Sequence, residues 1–294
     1  NNYTKLIMKI SFADFWPGFD YNHNFITFLF KEVFEDISVS NPEDCDCLIY
    51  NIFGQSHRSY NDCIKIFFNG ESSPRPNFNE CDYSITSFFD SYDSKNIRIP
   101  LWMFYVDWFN TGTWGNPGWL IPVDYFTGEN PFASKEKTKF CSTVFSVPYQ
   151  NRIDMIDMVN RYKDVDCYGK CHKMQIPQNN SHAGELEKME VISDYKFSIC
   201  FENAAPGGWY TEKLLHAKIA GNIPIYYSDT ECHRDFNTKG FLNLSDYSDM
   251  ESMLEDIVRI DNDNNLYQSI LKEPLFEKKP TLDGVFEQMT GVLT

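Results

Sequence analysis

Short apolar runs alternate with helix-like stretches along this chain, and this alternation limits the folds that it can adopt. In the first half, an apolar run over residues 5–13 is followed by a helical pattern over residues 24–34. Four further runs have the length of buried strands and are separated by turn-forming residues: 47–53, 64–68, 83–88 and 97–102. Strands that alternate with helices at this spacing predict a parallel sheet covered by helices on both faces.

The second half repeats the alternation more regularly. In chain order, it predicts strands at 140–147, 165–168, 196–201, 223–227 and 241–244 and helices at 152–162, 211–220 and 250–260. A polar stretch at 172–184 predicts a loop, and the charged segment SKEKTK at 134–139 predicts a domain boundary near residue 138. The expected fold is therefore α/β, with two Rossmann-like domains, 1–138 and 139–294, that face each other across a cleft. The C-terminal helix is free in this scheme to pack back onto the first domain.

Length and charge exclude several classes of function. A chain of 294 residues can bury the core of one large domain or of two ordinary ones. Its 26 Lys and Arg residues against 42 Asp and Glu give a net charge of −16, which repels nucleic acid and anionic lipid. No window approaches the roughly 18 apolar residues of a membrane-spanning helix. An anionic ligand would therefore need a few basic residues as a local exception.

Cysteine, histidine and tryptophan give weaker signals. Nine cysteines without a CxxC pair are too sparse for a disulfide scaffold and too irregular for a typical zinc site, so mostly free thiols are expected. The six histidines form no HExxH motif. Most of the six tryptophans are expected in the core, with stacking on sugar rings as the alternative. The chain begins with Asn rather than Met, which leaves a trimmed targeting segment open.

The most informative stretch is residues 197–229. A buried strand there is followed by a loop that contains Pro-Gly-Gly at 206–208, and Thr211 is placed to cap a helix that begins TEKLL. A glycine-containing loop before a helix N-terminus offers backbone N–H groups to a phosphate, and Lys213 adds a positive charge there. Glu212 could accept hydrogen bonds from ribose hydroxyls. The same pattern is also an ordinary strand-to-helix connector, and neither a Walker loop nor GxGxxG is present.

At this stretch the sequence closely resembles a known family. FEN, a short loop and TEKLL followed by AGNIPIYYSD resemble the nucleotide-sugar signature of the α-1,3/1,4-fucosyltransferases, glycosyltransferase family 10. Segments 67–88, 98–102 and 147–171 resemble further motifs of the family in the same order. The resemblance implies the GT-B architecture and inverting transfer of L-fucose from GDP-β-L-fucose to a glycan hydroxyl, expected to be O3 of N-acetylglucosamine.

The resemblance also assigns roles to residues. Glu71 matches the family's proposed general base, which must accept the proton of the attacking hydroxyl. Arg152 and Lys213 match the positions that bind the diphosphate and oppose the charge on the leaving GDP. The remaining donor-side positions are Asn203, Trp209, Tyr210 and Glu212, with Glu202 either orienting fucose hydroxyls or capping the loop. Trp209 stands where the family usually has a tyrosine, and Tyr210 beside it could supply the missing hydroxyl.

Cofactor, location and alternative functions complete these expectations. The DxD triplets at 44–46, 164–166 and 261–263 are expected by chance in so acidic a chain, so no essential metal is predicted, with Mn²⁺ allowed as a stimulator. Because it lacks the membrane anchor of the family's animal members, the chain resembles the soluble microbial or viral forms. It is expected to be cytoplasmic or peripheral, or to lie in the Golgi lumen if an anchor was trimmed. The alternatives are another nucleotide sugar on the same scaffold and a glycan-binding module without turnover.

Overall fold

The computed structural model describes residues 7–115, 118–127, 130–132, 134–169 and 184–293. Their contacts divide the chain into a first unit, Asn1–Phe104, Trp108–Asn116 and Thr281–Thr294, and a second unit, Tyr105–Asp107 and Pro117–Pro280. Most of the predicted loop at 172–184, with Cys171, His172 and His182, lies outside the described residues.

The predicted boundary near residue 138 differs from this division. Residues 105–107 and 117–138 belong to the second unit, and short strands at Val106–Asp107 and Ile121–Pro122 pair with each other there. Lys137 donates hydrogen bonds to the carbonyl oxygens of Ser193 at 2.6 Å and Ala220 at 2.7 Å. The charged run at 134–139 therefore lies inside the second unit by its contacts.

The first unit contains one six-stranded sheet whose neighbouring strands are all parallel. Its elements are β1 (Ile7–Ala13), α1 (Phe25–Val33), β2 (Asp36–Val39), β3 (Cys47–Tyr50), β4 (Ile64–Asn69), β5 (Tyr83–Thr86) and β6 (Asn96–Arg98). The strand order is β2-β1-β3-β4-β5-β6. The edge strand β2 is absent from the sequence prediction because its residues are exposed or only half-buried and it has no continuous apolar run.

The core of the first unit lies between this sheet and its helices. Helix α1 begins where the Asn24 side chain accepts a hydrogen bond from the Thr27 N–H at 2.9 Å. The C-terminal helix of the chain also packs in this core, to which it contributes the buried side chains of Val285 and Met289.

The second unit contains β7 (Val106–Asp107) and β8 (Ile121–Pro122), which form the short pair, and a five-stranded parallel sheet. The other strands are β9 (Lys139–Val144), β10 (Val165–Tyr168), β11 (Tyr195–Ile199), β12 (Ile223–Tyr226) and β13 (Leu242–Asn243), in the order β10-β9-β11-β12-β13. Its helices are α2 (Gln150–Asn160), α3 (Gly184–Ile192), α4 (Glu212–Ile219), α5 (Met250–Asn262) and α6 (Asn264–Lys272), and α7 (Asp283–Leu293) is the C-terminal helix of the first unit. Two parallel α/β sheets confirm the predicted fold class.

Both sheets reverse the direction of their strand order at one point. The reversal falls between β1 and β3 in the first unit and between β9 and β11 in the second. Ligands of such sheets bind beyond the carboxyl ends of the strands at this switch point. The segments that follow these four strands are therefore where functional side chains are expected.

Two further observations concern the whole chain. The eight described cysteines are free thiols, in line with the sequence prediction. Among the described residues, no helix is long and apolar enough to cross a membrane.

Candidate active site

Arg152 lies at the carboxyl end of β9, in the first turn of α2, and only 4% of it is exposed. Its Nη2 donates to the carbonyl oxygen of Phe201 and to Oδ1 of Asn203, both at 2.7 Å, and its Nη1 donates to the carbonyl oxygen of Val147 at 3.1 Å. The guanidinium lies 5.2 Å from the ring centroid of Tyr149. Burial lowers the pKa of Arg152. The structure thus joins the segment after β9 to the segment after β11 through one buried cation.

Glu202 follows β11 and is fully buried. Its Oε1 accepts from the Thr211 N–H at 2.8 Å and from the Tyr226 hydroxyl at 2.9 Å, and both of its oxygens contact the Thr211 hydroxyl. Lys213 Nζ lies 3.4 Å from Oε2. Thr211 does occupy the N-cap position of α4, but its hydroxyl bonds to Glu202 instead of capping the helix. Of the two roles considered for Glu202, these contacts support capping of the loop.

The first turn of α4 holds Glu212 and Lys213 with their charged ends 3.5 Å apart. Burial would raise the pKa of Glu212, but the charges of Lys213 and Lys188 outweigh it and hold that pKa well below its ordinary value. Burial would lower the pKa of Lys213, but Glu212 and Glu202 outweigh it and raise the pKa. Glu212 is therefore ionised at neutral pH and can accept hydrogen bonds, while Lys213 keeps its positive charge.

Lys188 and His216 were missed by the sequence reasoning. Lys188 lies in α3 and its Nζ is 3.3 Å from Nδ1 of His216 in α4. His216 is fully buried, and burial, with a further contribution from Lys188, lowers its pKa to about 3. No sequence pattern indicated Lys188, because one lysine in the segment GELEKMEVI is ordinary on a solvated helix face.

A recess at the carboxyl ends of β9 and β11 brings these cations together. Arg152, Lys188 and Lys213 all line it. Its other lining residues are neutral: Thr143, Val144, Phe145, Ile192, Ser198, Ile199, Cys200, Phe201 and Ala217. Three basic side chains at the switch point of a parallel sheet offer charge-assisted donors to an anion that binds beside them.

Trp209 and Tyr210 lie in the loop before α4, and both are buried. The Tyr210 hydroxyl donates to Oδ1 of Asp229 at 3.0 Å, and its ring meets Phe236 edge to face at 5.5 Å. Asp229 also accepts from the Gly208 N–H at 3.3 Å. This arrangement differs from the expectation that Tyr210 supplies a hydroxyl to the ligand, because a fully buried side chain bonded to Asp229 is part of the loop's own packing. Asp229, which fixes this loop, was also missed.

Glu71 is the one predicted site residue in the first unit. It follows β4 and is exposed. Its backbone N–H donates to Oδ1 of the buried Asn69 at 2.9 Å, and the Asn69 amide donates to the Pro74 carbonyl oxygen at 2.8 Å. The last residue of a rigid strand thus fixes the turn that carries Glu71, while its carboxylate faces solvent and can meet a ligand.

A second polar cluster of the first unit was not predicted. Asp14 follows β1 with a positive φ of 60° and accepts hydrogen bonds from Ser56 and from the ring of His57, whose Nδ1 lies 2.6 Å from Oδ2. The other ring nitrogen of His57 lies 3.3 Å from Glu80, in the segment between β4 and β5 that also carries Glu71. Burial would raise the pKa of Asp14, but hydrogen bonds from Ser56 and His57 outweigh it and lower the pKa. The cluster therefore joins the ends of β1 and β3 to the Glu71 segment.

One acidic residue of each DxD triplet is engaged in internal contacts. Asp46 accepts from the Lys9 N–H at 2.7 Å, Asp166 accepts from the Tyr195 hydroxyl at 2.5 Å, and Asp261 pairs with Lys163 and Lys196, each at 2.5 Å. Within the described ranges there is no group of three or more His, Cys, Asp or Glu residues that could hold a metal. The prediction that no metal is essential stays a prediction.

Comparison with known proteins shows which protein family this chain matches. Residues 10–105 match the model of the alpha-(1,3)-fucosyltransferase FucT N-terminal domain, and residues 133–272 match that of glycosyltransferase family 10 (fucosyltransferase), C-terminal part. A putative fucosyltransferase of Acanthamoeba polyphaga mimivirus is 36% identical over 148 residues, 48% of this chain and 25% of the relative. The alpha-(1,3)-fucosyltransferase FucT of Helicobacter pylori is 26% identical over 306 residues, 94% of this chain and 61% of the relative.

A solved structure agrees with the fold. The crystal structure of an alpha1,3-fucosyltransferase with GDP-fucose superimposes with a TM-score of 0.73 at 21% identity, covering 99% of this chain and 91% of the other. This chain spans less than two thirds of the length of the two curated relatives. The two family models follow each other in order and span most of the sequence. The chain therefore belongs to glycosyltransferase family 10, the fucosyltransferase family, and its two parallel-sheet units have the GT-B fold.

Proposed function

We propose that this chain is an inverting fucosyltransferase that moves L-fucose from GDP-β-L-fucose to a hydroxyl of a glycan acceptor, namely O3 of N-acetylglucosamine. The observation that carries the proposal is that the buried Arg152 and the half-buried Lys213 line one recess at the switch point of the second sheet, in a chain of net charge −16. Family membership and the solved relative with GDP-fucose support a nucleotide sugar as the anion.

The donor side follows from the chemistry of the side chains. Arg152 and Lys213 would bind the diphosphate, and their charges would stabilise the negative charge that grows on GDP as it leaves. Glu212, kept ionised by its cationic neighbours, would accept hydrogen bonds from ribose hydroxyls. Asn203 is held by Arg152, so its exposed amide could reach the sugar or the phosphate. Glu202 and Tyr210 would support the site from behind without touching the donor.

The acceptor side needs a base. The acceptor oxygen would attack C1 of fucose, the bond from C1 to the β-phosphate oxygen would break, and GDP would leave with the electron pair. Attack from the face opposite the leaving group inverts the configuration at C1. Glu71 would accept the proton that the acceptor hydroxyl loses, since it is an exposed carboxylate beyond the end of a strand and its turn is fixed by Asn69.

The first experiment tests whether the chain transfers fucose to a glycan acceptor. The chain is incubated with GDP-fucose and a panel of lactosamine-type and N-glycan-core acceptors, and products are identified by mass spectrometry and linkage analysis. Fucosylated N-acetylglucosamine linked at O3 is expected. A chelator added to one arm is expected to leave the rate unchanged. Donor binding without product from any acceptor would instead favour a glycan-binding module without turnover.

The second experiment asks which donor is used. Thermal shifts are measured with GDP-fucose, other GDP-sugars and UDP-sugars, because a ligand at about 100 times its Kd adds about 2.7 kcal/mol of stability. GDP-fucose is expected to give the largest shift. A larger shift and transfer with another nucleotide sugar would overturn the choice of fucose.

Variants locate the donor site. Lys213→Ala and Arg152→Ala are each expected to weaken donor use by about tenfold to a hundredfold, the worth of one charge-assisted contact. Lys239→Ala is the matched control, because Lys239 is an exposed lysine of the same unit. Donor kinetics that match the control in both variants would remove the diphosphate from this site.

A further inference from the structure

Lys188 is a cation of the candidate site that lies outside the family motifs described above. It lines the recess at the ends of β9 and β11 together with Arg152 and Lys213. Burial lowers the pKa of Lys188, and the charges of Glu212 and Glu185 offset this only in part. Among the described residues, Lys188 has no carboxylate within ion-pair distance, whereas Lys213 has both Glu202 and Glu212.

The neighbour that Lys188 does have is a neutral one. His216 has a pKa of about 3 and is uncharged at neutral pH. An ammonium group can only donate, so Nδ1 of His216 accepts from Lys188 and the ring proton lies on Nε2. Nε2 is buried without a hydrogen-bond partner among the described residues, so His216 is not held there by a second bond. This imidazole therefore orients the Lys188 ammonium without neutralising it.

Charged side chains surround the recess before any ligand binds. The cations Arg152, Lys188 and Lys213 line it, and Lys213 pairs with the carboxylates Glu202 and Glu212. The carboxyl group of Glu185 is also near, and burial raises its pKa, although Lys188 partly opposes this. Buried charge is costly unless it is paired, so an anion that binds beside Lys188 would supply the ion-pair partner that this cation lacks among the described residues.

We propose that Lys188 is a third cation of the diphosphate site, oriented by His216, and that it contacts the phosphates of the nucleotide donor beside Arg152 and Lys213. The inference rests on the proposed function, because it names a further residue that binds the donor of that reaction. It makes the anion pocket a product of three elements, namely the first turn of α2, the first turn of α4 and the middle of α3.

The test separates a phosphate contact from a structural role. GDP and guanosine affinities are measured by calorimetry for the parent chain, Lys188→Met and Lys188→Arg. Lys188→Met is expected to bind GDP about tenfold to a hundredfold more weakly, the worth of a charge-assisted hydrogen bond, with guanosine binding unchanged. Lys188→Arg is expected to retain most of the GDP affinity because it keeps the charge.

Lys218→Met is the matched control. Lys218 is a second half-buried lysine of the same unit, in α4, but its Nζ bonds to the carbonyl oxygens of Gly240, Ile270 and Leu271. Its loss is expected to lower stability and to leave the ratio of GDP to guanosine affinity unchanged.

The other possible results would overturn either the role of Lys188 or the proposed function. Unchanged GDP binding in Lys188→Met, or an equal loss for GDP and guanosine, would overturn the role of Lys188 while leaving the proposed function intact. Failure of the parent chain to bind GDP would instead overturn the proposed function. If Lys188→Met does not fold, Lys188→Gln is measured in the same way.

Discussion

Single side chains hold the second unit's site in a charged arrangement before a ligand is present. Lys213 lies between Glu202 and Glu212, and Arg152 is fixed by carbonyl oxygens and by Asn203. Groups held in this way need little rearrangement when a charged ligand binds, so their stabilisation of developing charge is available at once. This arrangement leads to two predictions at the scale of single residues.

Glu71→Gln is expected to lower turnover by about 10² to 10⁴, the usual contribution of a positioned base, while GDP affinity holds. Glutamine keeps the size of glutamate but cannot accept the proton. Steady-state kinetics and GDP calorimetry on the same preparation measure both quantities. Transfer at the parent rate would mean that the base lies elsewhere, and Glu202 would be a poor replacement because it is fully buried and bonded to Thr211 and Tyr226.

Tyr210→Phe is expected to lower stability by about 1 kcal/mol and to leave donor kinetics unchanged. The variant removes only the hydrogen bond to Asp229, inside a packed loop. Urea unfolding and the KM for GDP-fucose are the two measurements. A selective loss of donor binding at parental stability would restore the earlier hypothesis that the Tyr210 hydroxyl serves the ligand.

Elements, rather than single residues, decide how the first unit's strand ends are held together. Asp14 stands after β1 and receives the N–H groups of Ser56 and His57, at the start of a short 3₁₀ helix over Ser56–Ser59. Its carboxylate therefore serves as a cap supplied from another segment. Gly54 is required beside it, because a Cβ at that position would lie 2.4 Å from the Asp14 carboxylate.

The lowered pKa of Asp14 predicts a pH dependence of stability. A carboxyl group with a depressed pKa in the folded state stabilises the fold above its unfolded pKa, about 3.9, and loses that contribution as pH falls through the folded pKa. The parent chain is therefore expected to be more stable than Asp14→Asn at pH 7, and the difference should shrink as pH falls below about 4. Urea midpoints of both chains over this range test it, and a difference independent of pH would count against it.

Helix α7 gives a second prediction about an element. Met289 is fully buried in the first unit's core, so Met289→Ala is expected to cost about 2–5 kcal/mol. Glu287→Ala, at an exposed position of the same helix, controls for helix propensity. Equal stability of the two variants would mean that α7 contributes little to this core.

How much could be predicted also differs between elements. Long apolar runs such as those of β3, β4 and β11 were located correctly, since period and burial act within a few residues of sequence. The half-exposed strand β2 and the helices α3 and α6 were not placed, because packing partners far along the chain define them. The short strand β13 was placed, and the C-terminal helix α7 was expected without bounds. The same limit hid Lys188, whose neighbours come from other elements. The family motifs did indicate the residues that the second unit brings together, including Arg152 and Lys213.

At the scale of the whole molecule, the net charge of the chain is opposite in sign to the charged side chains that line the recess. The chain carries a net charge of −16, yet its recess is lined by three cations. Such a surface discourages unspecific binding of anions and leaves the recess as the local exception. Under the proposed function, specificity for a diphosphate depends on contacts with these three cations rather than on the general field of the protein.

The division of the chain has a consequence for its synthesis. The second unit is nearly continuous in sequence, but the first needs Thr281–Thr294 and hence α7 to complete its core. On the ribosome, the first unit begins to emerge early yet waits for Thr281–Thr294, which are added after the whole second unit. We therefore expect the later-encoded unit to reach its native core first, the reverse of the usual order in which domains mature during translation.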